Sequence, residues 1–558
     1  MQDTAARDTI AQDSAPAWLP VFAPDVPGGP LPPAARRVFD ADSLRFSDIY
    51  TLADLLARIP GAYVARGGFY GQAEYALYAG RGAAGLEVFW DGVPYLALGR
   101  DSVFLDPARI PLAPLARVEV LPLPGVLRVY LVSRRQASTH ATSSVRVVTG
   151  SREITRNTGS FARRWRSGAG VALVADWNSL QGALNSSSSA FSGSDIWVGV
   201  EYVPNPRFGA SYHQLTSRWE REPEMTRVDK WHFKRRDGML RFFVAPSGER
   251  PGPRFQLTLA STTVERDSAV PPLSTGQILL DASRTWARAH AALSTRLGDR
   301  RRPLELEARA SWMPLRRVIV AGEARRTRYV GDRIGHRLVG SAGLELPLGA
   351  SLSGQAVWSD DVPAPLLVGE PPQNTLDLSW ALRWERPWLW LELGGGRRDA
   401  FAPAGGPAGL KPVDSLGLAP ATDYVRVAGA LRPVPWLSVS GWYADALGGG
   451  ADFEPPHQGR LSLTFFSRFL RVFRSGIFAL RAEVAAESWS RGLGGFDEAV
   501  RNELRGATFL DLNLQMQIGD VTALWVMRNA YGMRTGYVPQ LDYPLGLQYF
   551  GVRWQFRN

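Results

Sequence analysis

From about Ser143 to the C-terminus, the sequence alternates apolar and polar residues in one segment after another. The clearest segment is Leu510-Asp511-Leu512-Asn513-Leu514-Gln515-Met516-Gln517-Ile518, with five apolar side chains on even positions and four polar ones on odd positions. A β-strand sends successive side chains to opposite faces, so each segment has one greasy face and one wet face. A half-buried sheet in water alternates too. Here the pattern persists through some twenty segments with no interleaved helix, and no ordinary core sequence accompanies it. That layout points to a membrane-spanning β-barrel.

Short turns are expected near Ser167-Gly168, Pro204-Asn205-Pro206, Pro246 to Pro253, Ala287, Pro314, Pro347 to Gly349, Arg386-Pro387, Pro433 to Pro435, Arg471 and Gly519-Asp520. Longer polar loops, such as 183–193, 361–372, 399–420, 446–457, 488–505 and 532–543, alternate with them. Eleven loops and ten turns give 22 strands over residues 141–558, or twenty if the turn near Ala287 is lost. A barrel this wide has an open lumen and needs a plug. Residues 37–140 supply the right amount of material and read as short mixed α/β pieces. Ser47 to Ile59 has helical spacing at Leu52, Leu55, Leu56 and Ile59, with Asp48 or Thr51 as cap and Pro60-Gly61 as terminator. Extended pieces follow at Tyr63-Val64, Leu86 to Trp90 and Arg117 to Leu121. Residues 1–36, rich in Pro, Ala, Gly and Asp without periodicity, read as a disordered tail. The expected fold class is membrane all-β, an antiparallel transmembrane barrel of about 22 strands around a small α/β plug.

Composition narrows the alternatives. No window approaches the ~18 consecutive apolar residues of a transmembrane helix. A mean hydropathy of −0.14 therefore excludes a helical membrane protein and leaves a barrel open. The 19 Trp, 16 Tyr and 24 Phe tend to fall near strand ends, as at Trp384, Trp388 and Trp390, or Trp436 and Trp442, and suit an interfacial girdle. A net charge of +11 raises nucleic acid as a partner, but the arginines are dispersed through the strand pattern, which argues against it. Arginine and acid often share the polar face, as with Arg481, Glu483 and Glu487, which suits a wet lumen. The absence of cysteine removes disulfides and thiolate chemistry. Met1 is followed directly by Gln-Asp-Thr, so an exported protein would carry Met1 in place of a removed signal peptide. The closing segment puts Phe550, Val552, Trp554 and Phe556 on one face and Gly551, Arg553 and Gln555 on the other.

Residues 51–121 then become recognisable. Leu52-Ala53-Asp54-Leu55-Leu56 leads to Ile59-Pro60-Gly61-Ala62-Tyr63-Val64, then to Arg81-Gly82 and to Val88-Phe89-Trp90-Asp91-Gly92-Val93-Pro94. Ile110-Pro111 and Leu115-Ala116-Arg117-Val118-Glu119-Val120-Leu121 follow. In this order and spacing they resemble the plug domain of TonB-dependent outer-membrane receptors, and Gly551 to Phe556 resembles the end of such a receptor's barrel. The resemblance covers the chain by architecture and about seventy residues by motif. It implies an outer-membrane location in a Gram-negative-type envelope, lipid and TonB as partners, a small-molecule ligand, and transport rather than enzymatic activity. One departure is that Leu121 runs into Pro122-Leu123-Pro124-Gly125-Val126-Leu127, where the family has a longer small-residue segment. The TonB box, which would pair with TonB by strand addition, is best matched by Asp8-Thr9-Ile10; the alternative is a chance triplet in a polar tail.

No catalytic constellation stands out, the six histidines are scattered, and no cofactor or metal is implied. By the resemblance, ligand meets the outward plug apices. Arg66, Phe69, Tyr70 and Gln72 mark the first, and Tyr95 to Arg100 the second, with plug–barrel packing as the alternative role for these residues. Two functions follow as expectations: import of a scarce solute, or a receptor-derived barrel serving as a structural or partner-binding component.

Overall fold

The structure, a computed structural model, describes residues 17–22, 26, 28–67, 73–98, 105–180, 190–221, 231–248, 251–266, 271–299, 301–363, 371–403 and 415–557. Twenty-two antiparallel strands, from Thr142–Gly150 to Leu547–Arg557, pair in sequence order and close into a barrel. The seam joins the last strand to the first, from Tyr549 opposite Gly150 to Arg557 opposite Thr142. The turn near Ala287 exists, between Leu273–Thr285 and Ala289–Leu297, which settles the count at 22 rather than twenty. The turn expected at Pro314 falls after Leu315 instead, because a register shift between Trp312 and Leu315 carries the strand past the proline.

Burial in the barrel is the inverse of a soluble sheet. In Ala507–Ile518, Ile518 is 54% exposed and its apolar neighbours Leu514 and Met516 face outward, while Gln515 is 3% exposed. In the closing strand, Phe550, Val552 and Trp554 are exposed and Arg553 is buried. Wet faces turned inward and greasy faces turned outward make sense when the outer solvent is lipid. Trp384, Trp388 and Trp436 share the exposed band expected of a girdle. Trp390 does not: it alternates with the outward Leu391 and Leu393, so its ring faces the lumen and lies against Arg383. Trp442, next to exposed Tyr443, has its indole N–H buried and is likewise turned inward.

The plug fills the lumen. Its sheet runs Arg37–Phe39, Leu115–Leu123, Val126–Ser133, Leu86–Trp90, Val93–Pro94, and a separate pair joins Ala62–Arg66 to Glu74–Tyr78. Leu52, Leu55, Val118, Val129 and Leu131 form its dry centre. The helix expected over Ser47–Ile59 is only Leu52–Leu56, capped at Thr51 by Asp54, whose carboxylate accepts from the Tyr50 and Thr51 backbone N–H groups (3.0 and 3.2 Å). Asp48 is not the cap; its carboxylate holds Arg58. Pro124-Gly125 turns the chain directly from one sheet strand into the next, with Leu123 opposite Val126, so the segment that is short in sequence is a tight hairpin. Residues 17–22 and 28–36, part of the stretch read as a tail, lie against the wall. Phe22 stacks on Phe243 at 3.6 Å, and Arg164 donates to the Pro20 carbonyl (2.7 Å).

Ion pairs fix plug to wall. Arg128 donates two hydrogen bonds to Glu323 (2.6 and 2.8 Å), and Glu87 accepts from Arg325 (2.7 Å) and Arg337 (2.5 Å). Arg81 is paired bidentately with Asp377. Burial alone would raise the Glu87 carboxyl, but Arg325, Arg337 and Arg128 outweigh it and hold it well below the usual carboxylate range.

Candidate functional site

At the long-loop end of the barrel, the plug hairpin of Ala62–Arg66 and Glu74–Tyr78 meets the wall. One side is sealed. Tyr63 and Tyr75 of the plug pack with Trp489, Phe509 and Tyr537, and the Phe509 and Tyr537 rings stack at 5.1 Å. The other side holds a cavity of about 90 Å³ between the plug and the second to fifth barrel strands and the last two. Arg66 and Glu74, the two ends of the first apex, line it, together with Asp54 and Arg109 of the plug and Arg156, Trp219 and Arg528 of the wall.

The local chain explains each position. Arg66 is the last residue of Ala62–Arg66 and pairs in register with Glu74, the first of Glu74–Tyr78. Its guanidinium donates to Asp54 (3.1 Å), which also accepts from Arg528 of the wall (3.2 Å). Burial opposes ionisation of Asp54, but Arg528, Arg66 and the capping N–H of Tyr50 hold its carboxyl below the usual range. Glu74 goes the other way. Burial outweighs the pull of Arg66 and, with repulsion from Asp54 and Asp106, raises it to about 7, and among the described residues its Oε2 has no hydrogen-bond partner. Arg109 lies over the rings of Trp219 (5.0 Å) and Phe191 (5.6 Å). Fixed donors, acceptors and ring faces on a rigid support make a binding chemistry.

Of the residues picked from sequence, Arg66 stands in this cavity. Tyr95 stands apart, under the Arg235 guanidinium at 3.6 Å and beside Trp90, where plug meets wall. Phe69, Tyr70, Gln72 and Arg100 lie outside the described residues, as do Asp8, Thr9 and Ile10. Sequence reasoning missed Asp54, Glu74, Arg156, Trp219 and Arg528. For the last three, alternation marks a lumen-facing side chain but carries no information on which angle of the barrel it occupies.

A family model of the TonB-dependent receptor plug domain matches residues 32–127. No curated protein sequence matches the chain. Among solved structures, it is similar to the siderophore receptor PirA from Acinetobacter baumannii, at 9% identity and a TM-score of 0.71 over 94% of this chain and 98% of that one. It is similar also to a mutant of the ferric enterobactin receptor PfeA from Pseudomonas aeruginosa (12%, TM-score 0.68, 94% and 98%). The copper transporter OprC gives 12%, a TM-score of 0.71, and coverage of 94% and 100%. At such identities the likeness is one of fold. With residues 32–127 matched to the TonB-dependent receptor plug domain and the plugged 22-stranded barrel matched in architecture, the chain has the fold of the TonB-dependent outer-membrane receptors.

Proposed function

We propose that the chain imports a scarce solute across the outer membrane by an energised, TonB-coupled mechanism. The observation that carries this reading is the outward cavity built jointly by plug and wall, where Arg66, Asp54 and Arg528 form one hydrogen-bonded group. A ligand bound there touches the part that must move and the part that stays. Arg66, with Phe69, Tyr70, Gln72 and Arg100 on the adjoining apices, supplies ligand contacts, and Tyr95 supports the second apex from below. Asp8-Thr9-Ile10 is the segment proposed to pair with TonB. Solved neighbours described as siderophore receptors and a copper transporter support import as the class of activity.

The test is binding of the purified, detergent-solubilised protein to a TonB periplasmic domain, with and without residues 1–20. Binding that depends on those residues is expected. No binding by the intact protein discards energised import. It favours instead a receptor-derived barrel that holds a partner, a reading that the shortened Pro124-Gly125 hairpin also supports.

A further inference from the structure

Two cavities lie on opposite sides of Tyr50. The outer one is the candidate ligand site. The inner one, of about 390 Å³, runs between the plug and strands Thr142–Gly150, Ile154–Arg164 and Leu547–Arg557. It reaches the short-turn, periplasmic end, where Gln555 in its wall donates its backbone N–H to the Asp520 carbonyl of the Gly519-Asp520 turn (3.0 Å). Among the described residues, Tyr50 alone lines both cavities. Its ring lies against both Arg156, which lines the outer cavity, at 4.5 Å and Arg146, which lines the inner one, at 4.6 Å.

Charge in the inner cavity is one-sided. Five arginines line it against one acid, Asp42. Arg135 is matched by Asp91 at 3.3 Å. Arg134, Arg146 and Arg553 are in no ion pair among the described residues. They donate only to neutral oxygens: Arg134 to the Leu115 carbonyl (3.3 Å), Arg146 to the Thr158 hydroxyl (3.4 Å), and Arg553 to the Arg45 carbonyl (2.6 Å) and the Thr522 hydroxyl (3.3 Å). Arg553 is 7% exposed, and its Nε has no partner. Burial, reinforced by the charge of Arg146, holds the Arg134 guanidinium below its ordinary value. Other lumen arginines, such as Arg128 on Glu323 and Arg325 on Glu87, are paired with acids. Arg553 is buried, Arg146 half-buried and Arg134 open to the cavity, and gathering cations in a narrow lumen without ion-pair partners is costly unless an anion is to be met there.

We propose that this cavity is the inner half of the solute's path, that the solute carries carboxylate or phosphate oxyanions met by Arg134, Arg146 and Arg553, and that Tyr50 is the gate between the two halves. The proposal rests on the import reading and names the chemistry of what is imported. Planar guanidinium groups bind both oxyanion types through paired N–H donors, so one set of residues serves either. Displacing the Tyr50 ring frees the faces of Arg156 and Arg146 together, which would hand an anion from one to the other.

The chain has no cysteine, so Ser144→Cys, in the wall of the inner cavity, reports the local potential on the full-length protein in detergent. Labelling by an anionic methanethiosulfonate is expected to outpace a cationic one by roughly tenfold. The double change Arg146→Gln and Arg553→Gln should return the ratio toward parity. Inorganic phosphate or citrate should slow labelling, and whichever protects assigns phosphate or carboxylate. Parity in Ser144→Cys alone, or protection by neither anion, overturns the oxyanion assignment. In planar bilayers, Tyr50→Ala should conduct with anion selectivity while Tyr50→Phe stays closed. A Tyr50→Ala barrel that keeps its heat-modifiable electrophoretic mobility yet does not conduct overturns the gate. None of these readouts needs TonB, so a failure to bind TonB strikes the import reading separately.

Discussion

Glu74 sits at the edge of the outward cavity with a carboxyl raised to about 7 from its ordinary value of 4.5. A raised carboxyl favours the folded state where it is protonated. Its contribution is complete below 4.5 and is lost as pH climbs to about 7. Difference infrared spectra between acidic and alkaline samples are expected to show a protonated carboxyl band titrating near neutrality, with that component missing in Glu74→Gln. Its absence from the wild-type spectrum would mean that Glu74 is already ionised. Gly125 is a second sensitive position. It has φ +73°, and a Cβ there would lie 2.2 Å from Oδ2 of Asp377, the partner of Arg81. Gly125→Ala should cost about 1–2 kcal/mol for the backbone alone, and should displace Asp377 as well. Limited proteolysis in rising urea should release plug fragments earlier than in the wild type.

At the scale of elements, many ion pairs tie the plug to the wall. Glu87, on Leu86–Trp90, is shared by Arg325, Arg337 and Arg128. Glu87→Gln leaves Arg325 and Arg337, among the described residues, only Asp361 as an acidic partner, at 3.7 and 4.0 Å, a loss on the order of 3 kcal/mol for a buried pair. Single-molecule extraction of the plug should then need less force, with the barrel's own unfolding unchanged; equal forces would place the anchor elsewhere. The strands and turns were legible because a period of two is written in every segment, and even Trp390 could have been turned inward by counting parity from Leu391. The helix was overextended because Ser47 to Ile59 keeps apolar spacing on both sides of a single turn, while Asp48 is claimed by Arg58. The site was only half legible. Arg66 lies two residues past a plug motif, but Arg156, Trp219 and Arg528 come from three separate wall strands. They meet only because the last strand closes beside the first.

At the scale of the molecule, the lumen is divided unevenly. Paired charges and an aromatic seal occupy most of the circumference, and both cavities fall along the strands next to the seam. The proposed route therefore follows the line where the wall's two ends are joined. That joint has a consequence for how the molecule comes into being. Every other pairing in the barrel joins successive barrel strands, but the outer edge of Thr142–Gly150 must wait for Leu547–Arg557, made roughly 400 residues later. Until then no cylinder exists, the first strand's edge is bare, and the greasy faces have nowhere to go. A ribosome that stops early leaves an unclosed ribbon rather than a leaky pore, so incomplete copies declare themselves to proteases before they can breach the membrane.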